Sequence, residues 1–386
     1  MKKIFKDILL CTALSVVPTL LLWAPFYFQA DNIWGVPLPK EGMQTLVANY
    51  DGPLYIAVAK SLYNPEYILN NFSFTLPAEY YVAHFPLFPL IIRLFAFIAG
   101  YPWGMLLSTI LASIFSVYYF KKLAEKYVKP ADALWLTFVF TIFPARWLIV
   151  RSVGSPEPLF VGAIIAAVYY FNERRYWLAG LFGAIAQLTK SPGILLFLAL
   201  GLSALYPQLI KLSTNHDLTK WLRKLDFRAY PILLIPLSLT GVFTLYKYTT
   251  GNFFAYFNSG DNIHLFFPPF QIFNYSQPWV QTHWLEEIIF VYLLILVGLI
   301  SLWKMKMHTE AILVSVFFST IIFVSHRDII RYSLPVLPFL IIGFSQFLKT
   351  KEAKIIISFL LLPIFLFSLA FISNNIQPVA DWGPLL

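Results

Sequence analysis

Charge is what this sequence has least of. Asp, Glu, Lys and Arg make up only 12% of its 386 residues, against roughly 25% in a soluble domain, so an ordinary water-soluble fold is excluded. Cysteine is nearly absent. Cys11 stands alone inside the first apolar run, so neither a disulfide nor a thiolate metal site can form within one chain. His84, His264 and His283 share no His-x-x-x-His spacing, and the residues require no cofactor; a divalent metal finds no support. No internal repeat or nucleic-acid motif is visible. The net charge of +9 therefore reads as membrane orientation, not as a footprint for nucleic acid.

What the chain has instead is apolar length. Hydrophobic residues make up 59% and mean hydropathy is +0.70, with runs of about 20 residues, enough at ~1.5 Å per residue to cross a ~30 Å hydrocarbon layer. This predicts an all-α polytopic membrane protein, one integral domain over 1–386, with about 11 transmembrane helices. Their expected places are 8–30, 102–120, 131–148, 158–172, 176–190, 193–210, 229–247, 287–303, 309–325, 332–348 and 354–373. The first run follows Lys2, Lys3 and Lys6 and is too long for a signal-peptide core, so it is read as a retained span.

A basic amino-terminal flank stays cytoplasmic, which places 31–101 outside as a large first extracytoplasmic loop. Two readings of 85–101 remain open, as it holds two prolines and Arg93. It either crosses the membrane or lies along the interface. The interfacial reading leaves 19 of the 28 Lys and Arg on the cytoplasmic side, including those of a loop at 211–228, and is favoured on that count. A second outer loop is expected at 248–286. The chain would sit in the plasma membrane of a prokaryote, or the endoplasmic reticulum membrane of a eukaryote, with its chemistry facing away from the cytoplasm.

Four polar clusters interrupt the apolar pattern on that outer side. Asn49-Tyr50-Asp51-Gly52-Pro53 precedes a helical run. Asp51 suits a helix N-cap and equally a base toward a hydroxyl. Arg146, Arg151, Ser152, Ser155 and Glu157 lie between the third and fourth spans; charges at membrane depth pair or line a wet cavity, and an Arg151–Glu157 pair is the structural alternative to a site. Lys190 either snorkels to headgroups or reaches a ligand. In His326-Arg327-Asp328-Ile329-Ile330-Arg331-Tyr332, the two arginines are four residues apart and share a helix face suited to an oxyanion. Loop aromatics such as Tyr50, Tyr55, Trp279 and Trp284 fit either a membrane-interface belt or a sugar face.

Tyr50-Asp51-Gly52-Pro53-Leu54-Tyr55-Ile56-Ala57, followed by His84-Phe85-Pro86-Leu87-Phe88-Pro89-Leu90-Ile91-Ile92-Arg93, resembles the PIG-V-type mannosyltransferases and their bacterial and archaeal relatives, membrane glycosyltransferases of the GT-C fold. The resemblance continues in order through Ser155-Pro156-Glu157-Pro158-Leu159-Phe160 and Leu188-Thr189-Lys190-Ser191-Pro192-Gly193. The family often has Trp at the place of Tyr50, Tyr at that of Phe88 and Arg at that of Lys190, and the carboxyl half matches loosely, through 327–338.

The resemblance implies a GT-C-like bundle with short interfacial helices in the first outer loop and a polyprenyl-phosphate sugar as donor, mannose being the first guess. The acceptor would be a hydroxyl of a glycolipid, glycan or protein. Asp51 and Glu157 become the catalytic candidates. Tyr50, Tyr55, His84, Arg151, Lys190, His326, Arg327, Arg331 and Tyr332 become the substrate-binding ones. A transporter or lipid-linked-sugar flippase is the reading from another class; it would show repeated halves and broken helices, neither of which is visible in the sequence.

Overall fold

A computed structural model describes residues 2–215, 227–260, 263–274, 276 and 285–386. Most of the expected 211–228 loop and the stretch holding Trp279, His283 and Trp284 lie outside the described residues. The described chain is a helical bundle whose one sheet is a hairpin, Asn32–Ile33 against Val36–Pro37. Positive φ at Trp34 and Gly35 gives its two-residue turn the twist that hairpins need.

Every segment expected to span is helical, though not uniformly so. Six helices are long and apolar enough to cross a membrane, or seven if one bent pair is counted as a span. Glu157–Asn172, Tyr176–Thr189 and His308–Ile321 are shorter apolar helices, and the expected span 332–348 is divided between Leu337–Gly343 and Ser345–Leu348. Only 22–33% of the most apolar window in each long helix is buried against the protein. The remaining surface carries side chains such as Phe97, Ile98 and Phe359, exposed by 76% or more. Apolar surface on that scale needs a hydrocarbon solvent, which makes this an integral membrane protein.

Two breaks give the bundle its form. Leu87–Ala124 would run ~57 Å if straight, but Gly100 adopts φ 75°, ψ 166° and turns the helix back on itself. Gly104 then lies against the backbone of Ile92 and Ala96, where a Cβ would meet the Ala96 nitrogen at 2.9 Å. The first limb packs on the loop helix Gly52–Ser61: Arg93 donates to the carbonyls of Ala59 and Lys60 at 2.9 and 3.1 Å, meeting carbonyls that the helix end leaves free. Residues 85–101 are thus a reversed limb packed on the first loop. The second break is a 72° bend between Pro130–Ile142 and Ala145–Ser152, so a broken helix is present where none was visible in the sequence. Phe143 and Pro144 form the bend, and Pro144 cannot donate the hydrogen bond that a continuous helix requires.

Small residues bring the central helices close. A Cβ on Gly180 would lie 2.2 Å from the Pro231 carbonyl, and one on Gly183 2.5 Å from Ile235, the small-residue packing expected where lipid supplies no drive for association. The first loop carries Gln44–Val47, Gly52–Ser61, Pro65–Asn71 and a 3-10 turn at Ala78–Ala83. Of these, Gly52–Ser61 is buried along nearly its whole length, from Gly52 through Ala59, so it is fixed from every side.

Candidate active site

Tyr50 sits in the left-handed region, φ 50°, and swings the chain into Gly52–Ser61. The next residue, Asp51, holds the N-cap position, yet its side chain makes no capping bond. The carboxylate turns instead to Arg331, with Nη2 3.6 Å from Oδ2, and is 35% exposed. Gly52 is required behind it, since a Cβ there would lie 2.1 Å from the Val47 carbonyl.

The segment after the last long helix, Lys351–Asn374, clamps this loop. Asn49 is fully buried. It donates to the Ile372 carbonyl at 2.7 Å and accepts from the Asn375 amide at 3.1 Å. Asn49 also bridges Ile376 in antiparallel fashion, with Gln377 N–H donating to the Ala48 carbonyl at 2.7 Å. Residues some 326 apart in sequence thereby fix where Asp51 stands.

Glu157 opens the helix Glu157–Asn172, one residue ahead of the expected span. Its Oε1 accepts from Lys190 Nζ and from Arg331 Nε, both at 2.6 Å, and Oε2 accepts from Ser155. Burial pushes the carboxyl's pKa up, but Arg331, Lys190 and the Ser155 bond outweigh burial and hold it well below the usual carboxylate range, as three donors on one carboxylate should. A carboxylate so occupied is a poor base. Its physical role is to hold Arg331 and Lys190 together. The pairing with Arg151, the structural alternative, does not form: Arg151 is wholly buried, donating to the Thr141 carbonyl and to Ser15, the latter at 2.8 Å to the hydroxyl. Its guanidinium joins the first helix to the bent pair and takes no part in the cluster around Glu157.

In front of Arg331 opens a cavity of about 660 Å³, lined by Tyr50, Asp51, Arg146, Arg327, Arg331 and Phe371 among others. Neither Glu157 nor Lys190 lines it. Tyr50 serves both neighbouring arginines: the Arg331 guanidinium lies 4.3 Å over its ring, and its hydroxyl accepts from Arg146 at 3.2 Å. Arg146 Nε stands 3.0 Å from Asp328 Oδ1, close enough for ionic contact but outside hydrogen-bond alignment. Arg327 is exposed at the rim.

His326 accepts the Asp328 N–H at Nδ1, 3.0 Å. Its ring packs on His264 at 4.4 Å and on Tyr332 at 5.4 Å. Burial, with His264, Arg331 and Arg327 nearby, lowers its pKa to about 3, which keeps the ring neutral. His84 is buried beside the Tyr81 carbonyl, 3.3 Å from Nδ1, edge-on to Tyr55 at 4.7 Å. Burial lowers its pKa too. Tyr55 and His84 form the packed floor behind Asp51 and do not line the cavity.

Arg146, one of the charges set in apolar sequence, lines the cavity, and so do Phe371 and residues 374–377, which no motif in the sequence singles out as site residues. The signal available for the last of these was Asn374-Asn375, two polar residues that end a long apolar run. Among the described residues no group of three or more His, Cys, Asp or Glu is placed to hold a metal.

No family description matches the sequence, and no curated protein resembles it in sequence. Among solved structures it is similar to ArnT from Cupriavidus metallidurans, determined bound to undecaprenyl phosphate, with a TM-score of 0.57 over 91% of this chain at 15% identity. The likeness shows a shared fold. The chain spans 63% of the length of that ArnT chain.

Proposed function

We propose that this protein is a GT-C glycosyltransferase that moves a sugar, with mannose the first guess, from a polyprenyl-phosphate donor to an extracytoplasmic hydroxyl, and that it is akin to the PIG-V type. The observation that carries the reading is the meeting of Asp51 and Arg331, 3.6 Å apart, at the wall of one cavity. A carboxylate beside several arginines is what such a transfer needs: a base for the acceptor and cations for the departing phosphate. That the solved structure of similar fold was determined with undecaprenyl phosphate supports the donor class.

In the proposed reaction the acceptor oxygen bonds to the anomeric carbon as the bond from that carbon to the phosphate oxygen breaks. The electron pair leaves with the polyprenyl phosphate, the hydroxyl proton goes to Asp51, and attack opposite the phosphate inverts the anomeric centre. Phosphate needs no strong general acid as it leaves, so one carboxylate suffices, unlike glycoside hydrolysis with its two. Arg331 and Arg327 receive the phosphate by charge-assisted bonds, and Arg146 joins them from the bend. Glu157 acts from behind by fixing Arg331, and Lys190 by holding Glu157. The amino terminus is assigned to the cytoplasm and the cavity to the opposite side.

The bent helix pair is the feature that favours a carrier instead. Purified protein in liposomes, given a radiolabelled polyprenyl-phosphate hexose and membrane acceptors, decides between them. Transfer of label to an acceptor supports the enzyme; translocation of the lipid without transfer supports the carrier.

A further inference from the structure

Arg331 touches two carboxylates in unequal ways. Its Nε bonds Glu157 at 2.6 Å, while its Nη2 stands 3.6 Å from Asp51, beyond any hydrogen bond. Glu157 is 3% exposed and Asp51 35%. The Tyr50 ring beneath the guanidinium and the Glu157 bond behind it leave the Nη edge preset and facing the cavity. A guanidinium is a planar fork whose edges bind oxyanions in pairs of bonds. The Nη edge makes no such pair with Asp51.

The charges lead to the same place. Asp51 and Glu157 balance Lys190 and Arg331, Asp328 stands against Arg146, and Glu287 offsets Arg327 at the cavity wall. An entering phosphate therefore either adds a negative charge to a neutral cluster or displaces one already there. Glu157, buried with both oxygens bonded, is not displaceable. Asp51, loosely held at the cavity wall, is.

We propose that Asp51 is an exchangeable counterion of Arg331: a phosphate monoester or diester entering the cavity takes the Nη edge and releases the Asp51 carboxylate. The inference rests on the donor class proposed above and adds an order to it. Without donor, Arg331 engages the carboxylate and holds it at the cavity wall; with donor, the carboxylate is released beside the anomeric carbon. The donor binds first, and an acceptor arriving early meets a carboxylate still held by Arg331.

Polyprenyl monophosphate, which carries no sugar to transfer, is the probe. Its affinity is measured for the full chain in nanodiscs. Asp51→Asn removes the competing charge and should tighten binding by about two- to five-fold, as for a partly exposed charge pair, even though it removes the proposed base. Asp51→Glu keeps the charge and should stay close to wild type. Equal or weaker binding by Asp51→Asn, with wild-type binding intact, overturns the exchange and leaves the donor class standing. No binding by wild type removes the donor class and the exchange with it.

A second measurement uses the wild-type protein alone, so it does not depend on a variant folding. Carbodiimide modification of Asp51, read by peptide mass spectrometry, should speed up when polyprenyl phosphate is added, because the carboxylate released from Arg331 turns into the open cavity. Unchanged or slower modification contradicts the proposal.

Discussion

Replacing Glu157 by Gln keeps the shape of the side chain and removes its charge, which leaves Lys190 and Arg331 facing each other around a neutral amide. Both bonds to Oε1 are 2.6 Å, and the glutamate side chain is 3% exposed against 25% for Lys190 and 16% for Arg331. Breaking a buried pair by removing one partner costs about 3–5 kcal/mol. The partial exposure of both cations, and the Asp51 charge near Arg331, put the expected loss at the lower end, about 3 kcal/mol. Thermal unfolding in detergent, followed by tryptophan fluorescence, should show a clearly lower midpoint for Glu157→Gln. Adding Lys190→Met to that variant removes one of the two stranded cations and should recover part of the loss. The pH dependence has a definite sign. A carboxyl whose folded pKa lies below the ordinary 4.5 gives stability that is complete above 4.5 and fades as pH falls below it. Wild type should lose its advantage over Glu157→Gln on acidification below that point. Equal midpoints at pH 7, or a gap between the two that widens in acid, would refute the anchoring role.

Two further outcomes follow from the same geometry. Asn49→Ala strands the Asn375 amide and the Ile372 carbonyl, each now bonded to Asn49, at about 1–3 kcal/mol; thermal unfolding should register that loss, and transfer should slow more than donor binding weakens, because the loop that carries Asp51 loosens. Arg151→Met should lower the unfolding midpoint through loss of the bonds to Ser15 and Thr141 while leaving polyprenyl-phosphate affinity unchanged, and a loss of affinity would return Arg151 to the site.

Long-range pairing explains what the sequence did and did not disclose. Apolar runs are a local signal, so every expected span contains helix, though 131–148 is bent and 332–348 is divided. The reversal at Gly100 and the bend at Phe143–Pro144 depend on what each limb packs against, and hydropathy carries no trace of that. Asp51 was legible because the Tyr50–Ala57 string surrounds it, and the four outer clusters identified Glu157, Lys190 and Arg331 one by one. Their assembly was not legible. The nearest cation to Glu157 in sequence, Arg151, invites a local pair, whereas the fold pairs Glu157 with residues 33 and 174 positions away. The clamp between Asn49 and Asn375 joins the two ends of the chain, and nothing in either segment names the other. Arg146 stood in view as a charge in apolar sequence; what gives it a place at the cavity is the bend at its own helix start.

In the proposed transfer the carboxylate of Asp51 receives the proton of the acceptor hydroxyl. Transfer of radiolabelled hexose from its polyprenyl phosphate, measured in liposomes with purified Asp51→Asn beside wild type, tests it directly. Label should stay on the donor lipid in the variant while the folded protein still binds that lipid; transfer at a rate near wild type would remove Asp51 from the role of base.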